Sequence, residues 1–126
     1  MAKRDEQCAC RDGEGQFAKR ELKSRQQYEA RARIAKALAH PTRLLIVDAV
    51  TKSEMCVADL ARLAGADQST VSNHLAILRQ TGLVARRRMG LQTLYRIRAE
   101  SLEGFWKCLE GVLKQNLEEQ REALGG

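Results

Sequence analysis

Three glycines cut residues 57–98 into pieces that few folds can use. Ala58-Asp59-Leu60-Ala61-Arg62-Leu63-Ala64 has the length of about two helical turns, and Gly65 stands where a left-handed C-cap closes such a helix. Asp67 supplies an N-cap for a second helix over residues 68–80, which stops at Thr81-Gly82. Leu83-Val84-Ala85-Arg86-Arg87-Arg88 then runs as a strand into Met89-Gly90, and Gln92-Thr93-Leu94-Tyr95-Arg96-Ile97-Arg98 returns. Val84, Leu94 and Ile97 are expected to face inward. Two short helices joined by a glycine turn make a helix-turn-helix unit, and the basic hairpin follows directly.

The flanks read as helices. Residues 17–39 carry a thin apolar stripe of Leu22, Tyr28, Ala32, Ala35, Leu38 and Ala39. His40-Pro41 breaks that helix, and Pro41 suits the first turn of the next, where its missing N–H costs nothing. Leu44-Leu45-Ile46-Val47-Asp48-Ala49-Val50 is apolar nearly all round and is the expected core helix. Glu54-Met55-Cys56-Val57 is a candidate short strand. The last segment, residues 101–124, places Leu102, Phe105, Trp106, Leu109, Val112, Leu113 and Leu117 at helical spacing. Nothing later in the chain covers that stripe, so a homodimer through the first and last helices is expected, although both stripes can also pack within one chain. Residues 1–16 are polar and glycine-containing and read as a flexible arm carrying Cys8 and Cys10; residues 17–126 read as one domain. Aromatics make up 4% of the 126 residues, which favours packed helices over a β-sandwich. The expected fold class is therefore mainly α with a small β-hairpin, a winged helix-turn-helix.

The formal net charge of +6 favours a polyanionic partner. In the second helix Val71, Leu75 and Leu78 fall on one face, so Gln68, Ser69, Thr70, Ser72 and Asn73 point away from the core near the helix start. That is where a recognition helix meets base edges. Gln and Asn amides pair with adenine, and small hydroxyls let the helix approach closely. Arg86, Arg87, Arg88 and Gln92 flank the hairpin tip and are candidates for phosphate or minor-groove contact. A charge run is usually only a solvated face, but here it follows a helix-turn-helix. His74 reads as a packing or backbone-bonded histidine rather than a ligand. No glycine-rich phosphate loop and no nucleophile–base pair is present, so an enzyme is not expected. No apolar run approaches the about 20 residues of a membrane span, and the N-terminus leads into no signal core, so a cytoplasmic protein with reduced thiols and no membrane partner is expected.

Ala37-Leu38-Ala39-His40-Pro41-Thr42-Arg43-Leu44-Leu45-Ile46, Met55-Cys56-Val57-Ala58-Asp59-Leu60, Gln68-Ser69-Thr70-Val71-Ser72-Asn73-His74-Leu75, Gly82-Leu83-Val84 and Tyr95-Arg96-Ile97 closely resemble, in that order, the ArsR-type metalloregulatory repressors over about residues 30–115. The resemblance implies a dimeric winged-helix repressor that binds double-stranded operator DNA and releases it when an effector binds. It also implies a thiol site. Members that sense arsenic or cadmium and lead often carry Cys-Val-Cys-Asp where this chain has Cys56-Val57-Ala58-Asp59, so the first cysteine is kept and the second lost. Some relatives join such a cysteine to thiols on a mobile N-terminal arm, and Cys8, Cys10 and Cys56 match that scheme. Lys3, Arg4 and Arg11 favour the thiolates of the first pair, and residues two apart in an extended segment share a face. Three sulfurs suit As(III) or Sb(III), otherwise Cd(II) or Pb(II); Zn(II) wants a fourth ligand. No obligatory cofactor is expected. The zinc-type site of the last helix would need ligands where this chain has Glu100, Leu102, Leu113 and Asn116, so it reads as absent. Cys108, beside Trp106 and Leu109, is most simply a buried core thiol. Two alternatives stay open: sensing of reactive sulfur through Cys56 and Cys108, and an effector-independent architectural module.

Overall fold

The computed structural model of the chain describes residues 22–98 and 102–125. Helix α1 spans Arg25–Leu38. It starts later than the stripe predicts: Leu22, Lys23 and Ser24 precede it, and the expected residues 17–21 lie outside the described ones. Of its side chains, Ala37 and Leu38 alone are buried. The chain divides into two compact units after Lys36, so these two belong to the unit that carries every later element.

Helix α2 (Pro41–Lys52) begins as expected with proline in its first turn. His40 is its N-cap: the backbone there is extended (φ −157°, ψ 128°), and Nδ1 accepts from the Thr42 N–H at 3.1 Å. One donor left over at the helix start is thereby satisfied. Ile46, Val47 and Val50 are buried, one side of a helix that is apolar on most of its surface. Strand β1 (Met55–Cys56) is two residues long, and helix α3 (Val57–Ala64) follows at once. Gly65 closes α3 at φ +66°, its N–H donating to the Ala61 and Arg62 carbonyls. Helix α4 (Gln68–Gln80) is capped by Asp67, whose side chain accepts from the Thr70 N–H at 3.1 Å. The α3–turn–α4 unit is the predicted one, with the predicted caps.

Strands β2 (Val84–Met89) and β3 (Gln92–Ile97) form an antiparallel hairpin, paired from Val84↔Ile97 to Met89↔Gln92. β1 adds to the far side of β3 through Met55↔Tyr95 and Cys56↔Leu94, giving the order β1-β3-β2. The expectation that Leu94 and Ile97 both face inward does not hold. They lie three apart in a strand of period two and so stand on opposite faces. Tyr95, two from Ile97, is the strand's buried residue. Ile46, Leu60, Leu75, Leu78, Val47, Val71 and Val84 are fully enclosed. Each contributes about 1.5–3 kcal/mol relative to an exposed position.

Helix α5 (Glu103–Gly125) begins against this core through Leu102, Phe105 and Trp106, the two rings edge-on at 5.3 Å. None of its own residues is buried, and Val112, Leu113 and Leu117 are each more than half exposed. Cys108 is exposed as well, which corrects the expectation of a core thiol: only the first turns of α5 reach the core. Among the described residues no helix is long and apolar enough to cross a membrane.

Candidate nucleic-acid interface

The interface is built outward from α4. Val71, Leu75 and Leu78 are completely buried at spacings of four and three, which fixes the rotation of the helix about its own axis. Gln68, Ser69, Thr70, Ser72 and Asn73 are therefore all exposed on and around its first two turns. Capping leaves the Asp67 carboxylate tied to Thr70. Hydrogen bonds from the Thr70 hydroxyl and then the Thr70 N–H hold its carboxyl below the usual carboxylate range.

A polar seat holds the middle of α4 against α2. The Arg43 guanidinium donates through Nε to His74 Nδ1 at 3.0 Å and through Nη1 to the Ala37 carbonyl at 3.4 Å. The His40 and His74 rings lie 4.5 Å apart between centroids. His74 packs against His40 as a helix-packing histidine would, but its hydrogen-bond partner is a side chain 31 residues earlier rather than the backbone. Burial first, then the neighbouring His40 and Arg43 charges, push the His74 pKa below the ordinary histidine value.

The hairpin carries Arg86, Arg87 and Arg88 opposite Tyr95, Leu94 and Thr93, and all three arginines are exposed. They are not equivalent. Arg87 makes a two-pronged ion pair with Glu54, 2.7 Å from Nη2 and 3.0 Å from Nε to Oε1. This bond, followed by the Arg87 and Arg96 charges, draws the Glu54 carboxyl below its ordinary value. Arg88 donates to the Gly90 carbonyl at 3.3 Å within the turn. Gln92 is exposed at the start of β3. The Glu54–Arg87 pair escapes sequence reasoning because it depends on β1 joining β3, a register that two residues of strand do not announce.

The expected thiol set is not assembled within the described residues. Cys56 is half-buried at the N-cap of α3, opposite Leu94, and makes no side-chain capping bond. Nearby Asp59 is paired with Arg62. Cys8, Cys10 and Glu100 lie outside the described residues, and among those described no three His, Cys, Asp or Glu side chains form a metal-holding group.

Residues 40–86 match the sequence profile of bacterial regulatory proteins of the arsR family. The nodulation protein NolR of Rhizobium meliloti is 46% identical over 67 residues, 53% of this chain and 54% of NolR. A transcriptional repressor SmtB homolog of Synechocystis is 40% identical over 75 residues, 60% of this chain and 57% of the homolog. The chain thus spans little more than half the length of these curated relatives. The solution structure of the homodimeric winged helix-turn-helix DNA-binding domain (fragment 1–100) of Mb0332 from Mycobacterium bovis, a possible ArsR-family regulator, superposes with a TM-score of 0.64 at 31% identity. That match covers 79% of this chain and 95% of the Mb0332 chain. With the cap residues, the sheet order and the family profile agreeing, the chain belongs to the arsR family of bacterial regulatory proteins and has its winged helix-turn-helix fold.

Proposed function

We propose that this chain is a homodimeric transcriptional repressor that binds operator DNA and leaves it when a thiol-seeking effector arrives. The observation that carries the DNA reading is the α4 start: five polar side chains exposed on a helix whose opposite face is locked into the core, beside an arginine-rich strand. Gln68 and Asn73 amides then read base edges in the major groove, and Ser69, Thr70 and Ser72 bond phosphates or bases. Arg86, Arg88 and Gln92 follow the backbone from the wing, and Arg87 joins them by leaving or sharing Glu54. A transcriptional repressor homolog and a homodimeric DNA-binding domain among the relatives support this reading. A repressor acting on operator DNA works in the cytoplasm, so that is the compartment proposed, with no membrane partner.

The proposed effector is As(III) or Sb(III), otherwise Cd(II) or Pb(II), held by Cys56 with Cys8 and Cys10. Cys56 supports this because its residue both pairs with β3 and starts α3, so a ligand there pulls on the wing and the reading unit together. A coupling of about 1–3 kcal/mol, ordinary for allostery, lowers DNA affinity about 5–150-fold. A second reading is favoured by the exposure of Cys108: reactive sulfur acting on Cys56 and Cys108.

The test is fluorescence anisotropy on a duplex selected from random sequence, repeated with each ion and with polysulfide. Release by As(III) or Sb(III) that is abolished in Cys56→Ser and in the Cys8→Ser/Cys10→Ser pair supports the first reading. Release by polysulfide that is abolished in Cys108→Ser supports the second. Binding that no treatment moves leaves an effector-independent architectural module, and failure to select any duplex overturns the DNA reading itself.

A further inference from the structure

We propose that Arg43 and His74 form a positioning pair for the recognition helix, and that α4 is seated for DNA only while His74 is neutral. This deepens the DNA-binding reading and rests on it. Arg43 lies on α2 and His74 near the middle of α4, one residue after the exposed Asn73. The guanidinium Nε–H is a donor, so the 3.0 Å contact requires a lone pair on His74 Nδ1. His74 therefore carries its proton on Nε2. A proton added at Nδ1 removes the acceptor and sets an imidazolium directly against a guanidinium.

Among the described residues, the rest of the seat offers no anion to absorb that charge. His40, the other ring, lies tilted at 52° with its centroid 4.5 Å away, and its own Nδ1 is occupied by the Thr42 N–H. Arg43 spends its remaining contact on the Ala37 carbonyl. On α3, Asp59 and Arg62 are paired with each other; beside β2, Arg87 is paired with Glu54; the cap carboxylate Asp67 is bonded to Thr70. The ionisable groups that act on His74 are His40 and Arg43, both of which disfavour its charge. The apolar contacts of Val71, Leu75 and Leu78 fix how α4 rotates. The Arg43–His74 bond adds a directional polar constraint at the middle of the helix, one residue from Asn73.

The direction of the pH effect follows from this arrangement. Burial and like charge keep the folded His74 less basic than an unfolded histidine, with its value of about 6.5. The pair's contribution is fully present above that value and disappears as pH falls through the lower folded pKa. Binding compares free with DNA-bound protein, both folded, so duplex affinity is level above the folded His74 pKa, which lies below about 6.5, and drops as pH falls through it, by up to about tenfold per pH unit for each subunit.

The experiment measures binding of the full chain to the selected duplex from pH 7.5 to pH 5, with a dye whose emission does not titrate. His74→Gln keeps an acceptor for Arg43 but cannot titrate. It is expected to bind at neutral pH within about threefold of the parent and to lose most of the acid limb. His40→Asn, which retains a capping oxygen, is the control for the second ring and keeps the limb. Arg43→Gln weakens binding at neutral pH and flattens the profile. In the parent, 15N spectra show an unprotonated His74 Nδ1 at neutral pH, and this signal is independent of DNA and of folding stability. A His74→Gln profile that overlays the parent, or a protonated Nδ1, overturns the pair while leaving DNA binding intact. A parent that selects no duplex at pH 7.5 overturns the DNA reading and the pair together.

Discussion

Arg87 meets any polyanion already partnered. A phosphate must compete with Glu54 for it, whereas Arg86 has no such carboxylate among the described residues and Arg88 gives up only a 3.3 Å bond to a turn carbonyl. Counterion release counts the cations that a phosphate neutralises, so the three arginines should weigh differently in the salt dependence of binding. Arg88→Ala is expected to flatten the slope of log affinity against log salt by about 0.9 for each phosphate left without its cation, and Arg87→Ala by less. Glu54→Gln is expected to release Arg87, tighten binding and steepen the slope, and on that background Arg87→Ala should cost as much as Arg88→Ala. Equal slopes for both arginine variants, with no gain from Glu54→Gln, would show that the carboxylate does not hold Arg87 back. The exposure of Gln68, Ser69, Thr70, Ser72 and Asn73 is legible in the sequence, because a period of 3.6 with three apolar residues on one side determines which way the others point. The Glu54–Arg87 and Arg43–His74 bonds are not legible there. Each joins residues 31 or 33 apart, and no local pattern encodes which charge or ring a tertiary contact will deliver.

At the scale of elements, the helix-turn-helix is held in shape by backbone chemistry at Gly65 and by packing at Leu75. Gly65 sits at φ +66° with open space where a Cβ would go. Gly65→Ala therefore costs the left-handed strain alone, about 1–2 kcal/mol, read as a lower urea midpoint at unchanged m-value. Leu75 is entirely enclosed, so Leu75→Ala leaves a cavity and costs about 2–5 kcal/mol, a large share of the roughly 5–15 kcal/mol that holds a domain folded. A destabilisation below about 1 kcal/mol at Leu75 would mean that α4 can re-seat and that its rotation is not fixed. Helix boundaries from α2 to α4 are readable because proline, aspartate and glycine mark ends through local backbone needs. The inward residue of β3 is misread because Leu94 is the more hydrophobic choice by composition. The pleat places Tyr95 inside with Ile97 and leaves Leu94 on the side of Cys56 and Arg87. The start of α1 is placed too early for a related reason: alanine and charged residues favour a helix locally without saying how far tertiary contacts sustain it.

For the whole molecule, the decisive question is what covers α5. Its 23 residues extend over about 34 Å, yet packing against the core ends near Trp106. Leu113 and Leu117, one turn apart, stand 66% and 57% exposed, and Leu124 is 89% exposed. A two-fold partner is the cover proposed, because one recognition helix reads one half-site and a second copy, about 34 Å away along the duplex, doubles the contact. The proposed effector set is the part of the molecule least readable from the chain, since no spacing in the sequence ties Cys8 and Cys10, which lie outside the described residues, to Cys56. Dimerisation is testable without knowing the effector. In the Leu113→Glu/Leu117→Glu variant two carboxylates enter the stripe, and because neither leucine belongs to the core of one chain, helical circular dichroism should persist. Sedimentation should then report a monomer where the parent sediments as a dimer. Affinity for the selected duplex should fall about 100-fold or more, as two linked half-site contacts become independent ones. A variant that loses its helicity would show instead that α5 is needed within the protomer. A folded variant that remains dimeric would move the interface away from this stripe and take the two-fold geometry of the reading helices with it.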